Sequence, residues 1–253
     1  VQNDASISNT FVGATQFTNT GTFRKTAGAG ITTVGAAMNN NGTLDVQSGT
    51  VLLSGGGTSS GLFTGTGVGS TLDFGGGTHA LSGTSTVQTP NVEFSGGTTT
   101  LDGPYNVPTS TTSSGGTTTF NSASTITSLG SSLTFSGGTI NFNSGSVLST
   151  TTYTHTLGTL GGSDTLNVSG ASAWSGGTMT GTGVTNTNGG MAISGVGAKD
   201  ITTRTLTTAG TTTWTGTGGI RTGTGSTISN TGTWDVQNDA SISNTFVGAT
   251  QFT

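Results

Sequence analysis

Two carboxylates and two histidines are the residues from which this chain could build a reaction centre. Asp73 and Glu93 stand one sequence unit apart, in Leu72-Asp73-Phe74 and Val92-Glu93-Phe94. Glycoside hydrolysis needs two such acids facing one cleft, one as proton donor and one as base or nucleophile. Strands on adjacent coils would stack them within about 5 Å. Each acid alternates with an aromatic, however, so an inward Phe74 and Phe94 put both acids outward on a flat sheet. The next full match, Leu133-Thr134-Phe135, carries threonine in the acid's place, which suits a surface pair better than a dyad. The other acids, Asp4, Asp45, Asp102, Asp164, Asp200, Asp235 and Asp239, are scattered along the chain.

The remaining candidates fail on spacing. His79 and His155 lie about four units apart, too far to share a metal or a triad. His79 falls in a column with Thr99, Thr118 and Ile140 and reads as a core or rim residue. Gly65-Thr66-Gly67-Val68-Gly69 resembles a phosphate loop only if a helix follows, and strand-like residues 71–74 follow instead. Gly161-Gly162-Ser163-Asp164 is a single echo of the calcium-binding nonapeptide, without the second copy that completes such a site. With no cysteine, thiolate metal sites, cysteine nucleophiles and disulfides are excluded. The expectation is no catalytic residue, no metal site and no cofactor; the chain does not read as an enzyme.

One surface feature survives. The threonine after each Gly-Gly is followed two residues on by Ser60, Ala80, Thr100, Thr119, Asn141 or Thr180. Thr98/Thr100, Thr117/Thr119 and Thr178/Thr180 should therefore form an outward ladder of hydroxyls and methyls. Ordered arrays of this kind bind ice or glycan. The plainer alternative is a solubilising, strand-favouring outer face, and the interruptions at Ala80 and Asn141 favour it.

Positioning such a ladder requires repeated strands, and the chain repeats at two scales. Gly-Gly-Thr begins at Gly56, Gly76, Gly96, Gly115, Gly137 and Gly176, with steps of 20, 20, 19, 22 and 39. Trp174, Trp214 and Trp234 continue that spacing. Around each Gly-Gly, apolar residues alternate, as in Leu133, Phe135, Ile140 and Phe142, which is strand periodicity. Threonine and valine fill favours strands over helices, and paired glycines supply the positive φ of a tight corner. Two short strands in about 20 residues cannot bury a core alone, but stacked copies can. The prediction is a right-handed parallel β-solenoid. One column should hold Phe74, Phe94, Phe135 and Trp174, interrupted by Ser54 and Ser113, and another Leu81, Leu101, Phe120 and Phe142.

The longer period is 235 residues. Residues 1–18 and 236–253 are identical, VQNDASISNTFVGATQFT. The chain accordingly reads as one long repeat, residues 1–235, followed by the start of the next, residues 236–253, in a tandem array. About twelve coils per repeat would advance about 57 Å. Val1 in place of methionine reads as a mature segment or a fragment, with any targeting sequence outside it. A disordered Gly/Ser/Thr linker is the competing reading, but linkers do not keep aromatic columns in step.

Composition narrows the partners. Charged residues make up 6% of the chain, against roughly 25% in typical domains. Five basic residues cannot neutralise a run of phosphates, so nucleic acid is excluded as a partner. No apolar run is long enough to insert into a membrane. Identical coils would stack like charges in register, which accounts for their scarcity.

Residues 19–26 (NTGTFRKT), 42–50 (GTLDVQSGT) and 72–79 (LDFGGGTH) resemble repeats of giant bacterial extracellular β-solenoid proteins, the autotransporter-associated and filamentous-haemagglutinin-like adhesin class. The resemblance is one of repeat style over most of the chain. It implies secretion to the cell surface and a fibrous, adhesive or spacing role, and it carries over no functional residues. The partners it implies are neighbouring repeats end to end, other fibres, and cell-surface glycans or matrix.

Overall fold

Short β-branched runs broken every few residues by glycine can extend but cannot continue straight, and the chain winds accordingly. The computed structural model describes residues 2–8, 13 and 15–253. It is all-β, with parallel strands stacked as a solenoid of about 11 turns, about 21 residues apart. Twelve coils of 20 were expected; the longer coil reduces the advance per 235 residues to about 54 Å.

Each coil has three faces, not the two strands expected. In one coil these are the two halves of Thr71–Leu81, bent at Gly75-Gly76-Gly77, and then Thr86–Gln88. The first face runs from Ile31–Val34 to Thr233–Val236, and the second from Gln16–Asn19 to Ile242–Asn244. The third runs from Thr22–Lys25 to Gln251–Phe252, as two six-stranded sheets in succession. Third-face strands are short and lack the Gly-Gly landmark, so only alternation such as Thr86-Val87-Gln88 marked them.

The core is a set of inward columns. Leu53, Phe74, Phe94, Ser113, Phe135, His155, Trp174, Ile193 and Trp214 pair in register on successive coils. The phenyl rings of Phe74 and Phe94 stack at 5.6 Å and 13°. Leu81, Leu101, Phe120 and Phe142 form the expected second-face column, with Phe120 and Phe142 stacked at 5.1 Å. Two assignments shift. Leu53, not Ser54, lies in the Phe94 column, because the corner at Gly55-Gly56-Gly57 comes one residue later than the Gly-Gly count implies. Trp234 pairs with Thr212 and so belongs to the neighbouring inward column, while Val236 follows Trp214.

The corners explain the paired glycines. Gly77, Gly97, Gly116 and Gly138 all have φ between 64° and 68°. A Cβ on Gly97 would also meet the Gly77 carbonyl oxygen at 2.2 Å. Left-handed backbone and stacked corners both exclude a side chain there.

Candidate functional site

The outward threonines sit on the second face, where strand alternation turns them away from the buried column that includes Thr99 and Thr118. Thr98 pairs with Thr117 and Thr100 with Thr119, so these two coils carry the expected ladder. Neighbouring coils lie about 4.8 Å apart, and threonines two residues apart about 6.7 Å. Thr178 continues the Thr98 column through Thr139 and Thr159. With Thr78 below, that column is threonine on six successive coils. Thr159 lacks the Gly-Gly-Thr pattern because its corner, Leu157-Gly158, has one glycine instead of two; Gly158-Thr159-Leu160 is the signal that marks it.

The second column is broken. Ala80, Asn141 and Gly161 interrupt Thr100, Thr119 and Thr180. Thr58 pairs with Ala80, so the unit at Gly56-Gly57-Thr58 is two residues out of the expected register and Ser60 lies outside the column. Some hydroxyls are already engaged: Thr100 donates to the His79 carbonyl at 3.2 Å, and Thr202 to Thr180 at 2.9 Å. Past Thr178 the first column changes to Asp200 and Arg221. These two form a bidentate pair at 2.7 Å. Arg24 and Asp45 pair through a single contact on the third face, Nε to Oδ2 at 2.7 Å. Opposite charges on adjacent coils thus satisfy the in-register stacking that like charges would oppose.

Asp73 and Glu93 do pair across adjacent coils on the first face. They are not on an open flat sheet, however. Asp73 is only 9% exposed. Leu52 occupies the same column one coil below and lies over Gly75, and Ser95 donates to Asp73 at 2.7 Å. Ser114 does the same for Glu93 at 2.5 Å. Burial, reinforced by the Glu93 charge and opposed by the Ser95 hydrogen bond, raises the Asp73 carboxyl to about 6. The folded chain therefore holds this proton more tightly than the unfolded one, and stability from this group is lost as pH rises from about 4 through about 6. Asp73→Asn removes the ionisation but keeps an acceptor for Ser95. Urea midpoints of Asp73→Asn and wild type should diverge in favour of Asp73→Asn between pH 4 and 7; a constant difference would refute the assignment.

The histidines are core residues in separate places. His79 is 2% exposed, in the expected column, with Nε2 at 3.2 Å from the Leu53 carbonyl. Burial lowers its pKa, against the pull of that carbonyl. His155 is fully buried in the Phe94 column, 2.7 Å from the Tyr153 hydroxyl. Burial brings it down to about 4. Both are neutral at pH 7. The Asp164 carboxylate accepts from Ser144 N and Oγ and Gly145 N at 2.9, 2.6 and 2.8 Å, so it fastens the turn below. The described residues hold no group of three or more His, Asp or Glu positioned for a metal.

One buried cation that the sequence did not single out ties several coils together. Arg204 is 1% exposed. Its guanidinium donates to the carbonyls of Gly162, Thr180, Asp164 and Val184 and to Thr185 Oγ1, at 2.8–3.4 Å. It thereby ties its own coil to the two beneath. No helix among the described residues is long and apolar enough to cross a membrane. Comparison with protein-family models, curated proteins and solved structures finds no match, so function has to be argued from these residues.

Proposed function

We propose that the chain is a structural segment of an extracellular bacterial surface fibre or adhesin stalk, built from tandem 235-residue repeats. The observation that carries this reading is the identity of residues 1–18 and 236–253 at the two ends of a stack of parallel coils. A parallel solenoid ends in strands with unpaired backbone groups, which the next coil of the same kind satisfies. Outward positions on every face are mostly uncharged hydroxyls, as in Ser132/Thr134, Thr98/Thr100 and Thr205/Thr207. That surface suits a long secreted spacer, and on it Asp73 and Glu93 are occupied by serine partners and Asp45 and Asp200 by arginines. The fibre's contacts are then its own neighbouring repeats, with other fibres, glycans or matrix bound weakly per repeat and strongly through repetition. Electron microscopy of native material tests the reading, with thin filaments expected.

A second reading, an ice- or glycan-binding face, is favoured by the unbroken threonine column from Thr78 to Thr178. The broken neighbouring column weighs against it. A single repeat should show no thermal hysteresis; hysteresis abolished by Thr117→Tyr would make the column a binding site.

A further inference from the structure

The segment that occurs twice folds alike locally but occupies different faces. In each copy the asparagine accepts the backbone N–H two residues on: Ala5 to Asn3 at 3.2 Å and Ala240 to Asn238 at 2.7 Å. Ile7 bridges Val34 on the first face, whereas its counterpart Ile242 pairs with Ile220 on the second. The strand Gln16–Asn19 lies on the second face beside Ala37–Asn40, whereas Gln251–Phe252 lies on the third beside Thr227–Asn230. Asp4 binds Lys25 and Gly30, at the corner between third and first faces. Its counterpart Asp239 follows Thr233–Val236 and precedes Ile242–Asn244, between first and second faces. All three comparisons give the same displacement, one face forward along the chain. Residues 1, 9–12 and 14 of the first copy lie outside the described residues.

Counting first-face strands from Ile7 to Thr233–Val236 gives eleven turns, and Ile242 is one face beyond. Nothing requires 235 residues to close a whole number of coils. The three faces are also built alike, each with alternating inward positions: Leu72 and Phe74, His79 and Leu81, Val87 and Thr89 are all buried. A coil turned by one face therefore still sets buried positions against buried positions.

We infer that successive repeats are related by a screw, each advancing about 54 Å and rotating by one face, about 120°. This rests on the tandem-fibre reading above. The surface that is the interface for the next copy is then the open end formed by Thr233–Val236, Ile242–Asn244 and Gln251–Phe252, entered one face out of phase. The threonine column moves to a new face in each repeat and returns to its own at every third. The fibre presents one surface to all sides rather than along one stripe, which suits lateral contact with several fibres or with a target approached from any direction.

The test is electron cryo-microscopy of a two-repeat chain, residues 1–253 followed by 19–253. The two repeats should superpose after a translation of about 54 Å with a rotation of about 120°. A continuous solenoid whose repeats superpose by translation alone would overturn the screw and leave the fibre intact. Two separate bodies would overturn the fibre reading, and the screw with it.

Discussion

Replacing Phe94 with alanine should destabilise the fold by about 3–5 kcal/mol, the range for truncating a buried phenylalanine. Phe94 is 1% exposed, stacked on Phe74 and edge-on to Phe120 at 6.2 Å. Its loss opens a cavity between coils whose backbones are fixed by their ladders, so the site cannot readily collapse. Glu93→Thr, one residue away on the outer surface, should change stability by well under 1 kcal/mol. Thr112 and Thr134 already occupy that column on the following coils. Chemical denaturation of both variants checks the pair. Equal losses would mean that the inward and outward assignment of this strand is wrong.

The second large effect should come from Arg204. Arg204→Leu keeps much of the side-chain volume but leaves buried carbonyls on two neighbouring coils without donors, at a cost of about 3 kcal/mol or more. Arg204→Lys should recover little, because a single ammonium on a flexible stem cannot reproduce the planar fork. Burial lowers the Arg204 pKa to about 10, so the group stays charged at pH 7 and the loss should be the same at pH 6 and pH 8. Full stability in Arg204→Lys would show that charge alone, and not the five-bond geometry, holds the three coils.

The sequence made the fold class and the second-face columns legible because both rest on short-range pattern. Alternation around Gly-Gly announces a strand, a corner and a strand, and the 19–22-residue step announces stacking. The third face was illegible because its short strands, such as Leu62–Thr64, lack the Gly-Gly corner that announces the other two. The register slipped where a corner differed in length, as at Gly55-Gly56-Gly57, since a count from glycines cannot tell which one turns the chain. Burial of Asp73 was hidden for a different reason. Alternation placed it outward correctly, but its cover comes from Leu52 and Ser95 on other coils, at separations of about 21 residues. Arg204 shows the same limit: a basic residue among threonines gives no sign that five acceptors from two other coils converge on it.

The central claim is that the coils continue from one repeat into the next, and imaging native material tests it most directly. Electron micrographs should show unbranched filaments of single-solenoid width with an axial rise near 54 Å per repeat, set by eleven turns and one face at about 4.8 Å per coil. Compact particles of uniform size, without axial periodicity, would contradict it.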